Sequence, residues 1–177
     1  MAAKFIRYTY EQLNTFCMDA FVKFGFNKDE ARIITDVLLL SDLYGIESHG
    51  MQRLVRYHKG IEKGLIKIDA KPEIVHETPV SAVIDAHDAM GQLVSHQAME
   101  LAIEKAKKTG MAIVSVRNSN HFGIAGYYAK MACDQGLMGM AMTNSEAIMV
   151  PTFARMAMIG SNPIAVSLPA DPYPFFF

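Results

Sequence analysis

The chain has 177 residues, 51% of them hydrophobic and 20% charged, with a formal net charge of -1. That length suits one domain or one and a half, and the composition is globular, not disordered. The near-neutral charge leaves no basic footprint for nucleic acid or a membrane surface, no run of about eighteen apolar residues offers a membrane span, and the N-terminus lacks the charged-then-apolar pattern of a signal peptide.

Cys17 and Cys133 lie far apart, form no CxxC pair and read as reduced core residues. A soluble, cytoplasmic protein is the expectation.

In chain order, the first element is a helix from Thr9 to about Phe24. Leu13, Phe16, Cys17, Ala20, Phe21 and Phe24 recur at helical spacing, and Thr9 with Gln12 has the form of a capping box. Asn27 with Glu30 caps a second helix, roughly Lys28 to Leu43, whose Ile33, Ile34, Val37, Leu38 and Leu40 read as core. A third helix is expected from about Gln52 to Lys63, between Gly50 and Gly64. The pattern then changes. Glu73 to His76 and Val80 to Asp85 read as a strand pair. Gly91 opens a long helix, Gln92 to Thr109, and Met111 to Val116 reads as a buried strand. A helix from about Ala125 to Gln135 follows, then strands at Met138 to Thr143 and Ile164 to Leu168. The expected organisation is a helical segment, residues 1–70, leading into an α/β segment, residues 71–177, with the boundary near Lys67 to Pro72. The three phenylalanines Phe175 to Phe177 read as a core strand cut off partway, or as an end tucked into the body or a partner.

Chemistry concentrates in four places. The first is the loop Asn118 to Tyr128, between a strand and a helix, where open α/β proteins put ligand chemistry. It holds His121, the side chain type that most readily exchanges a proton near neutral pH, beside Asn118, Ser119 and Asn120. A solvated turn of Asn, Ser and Gly is the plainer reading. The second is Ser48-His49-Gly50-Met51-Gln52-Arg53, with Tyr57 beyond. If the third helix starts near His49, then His49, Arg53 and Tyr57 share one face at i, i+4 and i+8. Arg53 then offers the fork that suits a carboxylate; the plain alternative is a capped helix start in solvent. The third is Thr143-Asn144-Ser145, whose hydroxyl and amide groups suit a ribose, a phosphate or an amide, or simply a cap. The fourth is Gly160-Ser161-Asn162-Pro163, either a tight turn or a close backbone approach to a cofactor. There is no GxGxxG, GxxxxGK[ST] or GxSxG, and no histidine has a second ligand at metal spacing.

Taken together and in order, Ser48-His49-Gly50 with Arg53 and Tyr57, Asn120-His121-Phe122-Gly123, Thr143-Asn144-Ser145 and Gly160-Ser161-Asn162-Pro163 resemble the malate/L-lactate dehydrogenase family of the second type. This family is unrelated in fold to the Rossmann enzymes of the same names. It includes ureidoglycolate dehydrogenase, sulfolactate dehydrogenase and diketogulonate reductase. The resemblance implies a non-Rossmann α/β fold, a helical segment packed beside a mixed sheet with flanking helices. It implies an oxidoreductase that moves a hydride between NAD or NADP and C2 of a small 2-hydroxy or 2-oxo acid. His121 is the favoured proton donor, with His49 the other candidate. Ser48, Arg53 and Tyr57 would hold the substrate, and Asn120, His121, Asn144, Ser145, Gly160 and Asn162 would face the cofactor. No metal is implied. Members are typically homodimers and about twice this length, so the chain reads as an N-terminal half. Ser161 stands where the family has Thr, and Ala154 and Arg155 stand where a Gly is common. A truncated, non-catalytic fragment acting as a dimerisation or interaction module is the alternative. A hydrolase or isomerase would need a nucleophile or metal that the sequence does not supply.

Overall fold

A computed structural model describes residues 6–177. Helices α1 (Tyr10–Lys23) and α2 (Lys28–Leu43) begin with the expected capping boxes. The Thr9 hydroxyl accepts the Gln12 N–H at 3.3 Å, while the Gln12 side chain accepts the Thr9 N–H at 2.9 Å. Asn27 and Glu30 repeat the exchange at 3.0 and 2.9 Å. Each box satisfies N–H groups that a first helical turn leaves without partners.

The two helices pack on each other through Cys17 and Phe21 of α1 and Ile34, Leu38 and Leu39 of α2, joined by Phe26, Tyr57 and Met90. Phe16 is a correction: expected on the buried stripe, it is 58% exposed. The buried line runs through Leu13, Cys17 and Phe21 at i, i+4 and i+8, and Phe16 falls beside it.

The third helix also differs from expectation. Two single 3-10 turns, Glu47–His49 and Met51–Arg53, come first, and α3 spans only Leu54–Glu62. Gly50 separates the turns with extended backbone, and a Cβ there would collide with the Asp42 carboxylate. That carboxylate accepts the Met51 N–H at 2.8 Å. So His49, Arg53 and Tyr57 do not stand on three turns of one helix.

Strands β1 (Glu73–Thr78), β2 (Ser81–Asp85) and β3 (Ile113–Arg117) form a three-stranded sheet in that order. Helix α4 (Gly91–Thr109) lies between β2 and β3 in sequence. Strand β3 is not the buried strand expected: its residues alternate between exposed and half-buried. It is an edge strand, paired on one side only.

The chain divides into two compact units. One is drawn from the residues up to Thr78 together with Ala82–Ala98 and Ser115–Gly123; the other comprises Pro79–Ser81, Met99–Val114 and Ile124–Phe177. In the second unit, α5 (Ala125–Cys133) packs on β4 (Gly139–Met142) and β5 (Ile164–Leu168). The strands are antiparallel, with Gly139 opposite Ser167 and Met142 opposite Ile164. Phe175–Phe176 add a short strand, β6, on the free side of β5. Glycine at 139 lets β4 approach α5 closely, because a Cβ there would strike the Ala129 carbonyl. The chain thus mixes helices with small sheets, as expected for its class. Both cysteines are buried free thiols, and burial pushes the Cys17 thiol up to about 11. Among the described residues, no helix is long and apolar enough to cross a membrane.

Candidate active site

The His121 loop is anchored at its start by bonds within the first unit. Asp85, at the end of β2, is buried. Its carboxylate accepts Asn118 Nδ2 at 3.0 Å, Arg117 Nε at 2.9 Å and the His87 N–H at 3.1 Å. These donors, Asn118 first, hold its pKa below the usual carboxylate range. Three residues around this crossing have positive φ: His87, Asp88 and Asn118. Aspartate and asparagine tolerate that conformation better than most residues. The turn accounts for Asp85 and Asp88 without a catalytic carboxylate pair.

Asn120 anchors the loop more directly. Its Nδ2 lies 2.9 to 3.1 Å from the carbonyls of Leu65, Asp88 and Ala89. Its amide nitrogen ties two backbone segments, Leu65 and Asp88 with Ala89, to the loop. Gly91, the first residue of α4, packs under the same peptides; a Cβ there would land on the Asn120 and His121 carbonyl oxygens.

On this support sits His121, half-buried, with Nδ1 2.8 Å from the Tyr57 hydroxyl. The Gly123 N–H reaches the same nitrogen at 3.4 Å. The His49 ring stacks on His121 with centroids 5.2 Å apart and planes 29° from parallel. Ser48 Oγ meets His49 Nδ1 at 2.9 Å, and Arg53 Nε donates to the Ser48 carbonyl, which fixes the 3-10 turns. The structure therefore brings Ser48, His49, Arg53 and Tyr57 together with Asn120 and His121, two groups more than sixty residues apart in sequence.

The electrostatics follow from this crowding. Burial, then the neighbouring His49, Arg53 and Arg56, push His121 down to about 4. Burial, then Arg53 and Arg56, also lower His49. Two stacked imidazoles beside two guanidiniums cannot readily both be charged. Burial raises the Tyr57 phenol far above its ordinary range, so Tyr57 serves as a neutral hydroxyl. His121, Tyr57 and Asn120 line a cleft of about 250 Å³, with Arg56, Lys59 and Lys63 contributing positive charge. No carboxylate is among its lining residues. Such a cleft suits a small anion with a group that exchanges a proton.

The remaining candidates meet within the second unit. Ser145 N–H donates to Asn162 Oδ1 at 2.9 Å, and the Ser145 and Ser161 hydroxyls are 3.3 Å apart. The Asn162 N–H reaches Ser145 Oγ at 3.3 Å, and a Cβ on Gly160 would strike Ser145. Two motifs separate in sequence are one cluster in space. The Asn144 side chain beside them is exposed. Neutral hydroxyls and amides of this kind can hold an amide, a ribose or a phosphate.

Sequence reasoning gave Gln92, Gly91 and Arg56 no part in the site. Gln92 is fully buried, and its Nε2 donates to the Tyr57 hydroxyl at 2.8 Å. A polar residue at the buried start of a long helix was the available signal. Arg56, one position before Tyr57, gave none.

A family model described as malate/L-lactate dehydrogenase matches residues 8–177. The malate dehydrogenase of Pyrococcus abyssi is 46% identical over 97% of this chain and 47% of its own length. The solved structure of malate dehydrogenase from Pyrococcus horikoshii OT3 superposes with a TM-score of 0.94 at 44% identity, covering 97% of this chain and 49% of that one. The sulfolactate dehydrogenase structure from Methanocaldococcus jannaschii gives a TM-score of 0.91 at 40% identity, over 94% and 48%. The chain spans about half the length of the relatives it matches.

Proposed function

The chain belongs to the malate/L-lactate dehydrogenase family, and we propose that it serves, within its complete protein, in reversible hydride transfer between NAD or NADP and C2 of a small 2-hydroxy or 2-oxo acid. The observation that carries this reading is His121: a neutral, half-buried imidazole, tied to Tyr57 and lining a cleft rich in cations. Malate and sulfolactate, the compounds in the relatives' names, are both 2-hydroxy acids with a second acidic group. A cleft with three cations and no carboxylate suits such dianions.

When bound, the nicotinamide supplies or takes the hydride. This chain's residues do the rest. His121 gives a proton to the oxygen on C2 in reduction and takes it back in oxidation. Arg53 and Arg56 attract the acid groups, and neutralising them with substrate raises His121 toward the working pH. His49, stacked on His121 and fixed by Ser48, positions the ring. Asn144, Ser145, Gly160 and Asn162 form the cofactor-facing cluster of the second unit. A cytoplasmic homodimer completes the proposal.

The test is oxidation of NADH and NADPH by the complete protein against a panel of 2-oxo acids. His121→Ala is expected to reduce kcat by about 10²–10⁴-fold, the usual contribution of a general acid or base. Arg53→Ala should raise KM chiefly for dianionic acids. Turnover unchanged in the His121 variant would remove that residue from the chemistry. A complete, folded protein that oxidises neither cofactor would favour the interaction-module alternative.

A further inference from the structure

The three cations that line the His121 cleft divide into two sets. Arg56 acts on both His121 and His49. Lys59 and Lys63 line the same cleft but are not among the charges acting on either ring, so they stand farther from the two imidazoles. All three side chains come from α3 and its C-terminal cap, at i, i+3 and i+7, which is one face of a helix.

Ordinary helix electrostatics do not account for this face. Lys59 and Lys63 suit the negative end of the helix, but Arg56 stands in the first turn, where the dipole opposes a cation. Like charges three and four residues apart also repel. No carboxylate relieves them. Among the described residues, none lies within ion-pair distance of Arg56, Lys59 or Lys63, and none lines the cleft. Glu62, the acid on the same helix, lies 3.7 Å from His58 instead. Lys67, just beyond, shows the usual outcome, bonded to Asp88 at 3.0 Å. The face is left open to an anion from outside.

Its spacing says what kind. Arg56 and Lys59 are one turn apart, about 4.5 Å along the axis, and Lys63 lies a further turn out. The two acid groups of a four-carbon diacid stand about 4–6 Å apart, at about 1.5 Å per bond. A lone carboxylate cannot span that ridge, and a diacid can. The wall between the cations is apolar where the carbons would lie. Gly60 presents no side chain there, and Ile66 packs so closely on it that a Cβ would fall 2.9 Å from Ile66 Cδ1. The cleft, about 250 Å³, has room for a molecule of that size.

We propose that Lys59, backed by Lys63, forms a distal-acid subsite. It takes the second acid group, carboxylate or sulfonate, of a 2-oxo or 2-hydroxy diacid whose first carboxylate meets Arg53 and Arg56. The two lysines are then specificity-determining residues that separate diacids from monoacids of the same length. The subsite rests on the proposed function for the identity of its guest; the binding itself needs no turnover. A cofactor phosphate is the other anion of suitable chemistry, and the test separates the two.

The experiment is isothermal calorimetry on the complete protein with succinate and butyrate, unreactive four-carbon acids with two acid groups and one. The wild type is expected to bind succinate more tightly. In Lys59→Met/Lys63→Met the ratio of succinate to butyrate affinity should fall about tenfold, because an exposed ion pair is worth up to about fivefold. The ratio should also lose most of its dependence on salt. Lys59→Arg/Lys63→Arg should keep both. The two positions are exposed, so the variants are expected to fold, which circular dichroism checks. A wild type that binds succinate no better than butyrate overturns the subsite, as does a ratio unmoved in the folded Met variant. An equal loss for both acids, the mark of a general field, also overturns it. So does weaker binding of NADH or NADPH with the ratio unmoved, which would assign the lysines to a cofactor phosphate. A complete protein that discriminates succinate as expected yet reduces no 2-oxo acid would sink the proposed function alone. One that reduces 2-oxo acids with the ratio unmoved would sink the subsite alone.

Discussion

His121 carries two consequences of its surroundings, one chemical and one thermodynamic. Burial and its cationic neighbours hold it at about 4, whereas an unfolded chain returns it to the ordinary value near 6.5. Between those two values the unfolded state binds a proton that the folded state refuses. Stability is therefore fully present above the ordinary value and is lost as the pH falls toward 4. His49, lowered for the same reasons, acts in the same direction. Replacing His121 with Gln should flatten the acid side of the Tm-against-pH curve between pH 6.5 and 4. A curve parallel to the wild type would show that His121 titrates alike in both states. The identity of His121 as a chemical group was legible from its loop and neighbours. Its depressed pKa was not, because that depends first on burial and then on His49, Arg53 and Arg56 arriving from another part of the chain.

At the scale of elements, close approach between α4 and the His121 loop decides the site. Gly91 opens α4 where any larger residue would collide with two backbone carbonyls. Backbone cannot yield as a flexible side chain can, so Gly91→Ala should cost about 1–3 kcal/mol, as overpacking usually does. It should also displace His121 from Tyr57. Urea unfolding at constant m-value would measure the first effect, and a shift of the His121 titration midpoint by NMR the second. An unchanged denaturation midpoint would mean that α4 shifts without strain. The capping boxes of α1 and α2 were legible because they are local, spanning three residues each. The broken third helix was not, because the 3-10 turns depend on Asp42 accepting the Met51 N–H nine residues away.

The whole molecule exposes much apolar surface in its second unit. Met140, Met142, Ile148, Val150, Phe153, Met156, Met158, Ile164 and Phe175 are among the exposed large side chains. Where such side chains adjoin, they mark interaction sites or aggregation liabilities. The 177-residue chain by itself is therefore expected to bind a hydrophobic dye and to associate as its concentration rises, read by fluorescence and by light scattering. A dye-silent monomer would mean that these side chains cover one another in solution. The sequence hinted at this through three terminal phenylalanines. How much surface stays uncovered depends on which strands pair, and only the fold shows that.

The sequence by itself determined α1 and α2 with their caps, the approximate place of most other elements, and the residue types at each motif. All of these are set by neighbours a few positions away, through backbone geometry and apolar periodicity. It also carried the family, because four short motifs kept their order over nearly the whole chain. The tertiary structure alone decided that His49 stacks on His121, that Ser145 joins Asn162, and that Asn120 clamps backbone. It alone decided that Gln92 reaches Tyr57. Each of these is a contact between segments distant in the chain, fixed by close packing around Gly50, Gly91 and Gly160, and no local rule encodes which distant partner a side chain will meet.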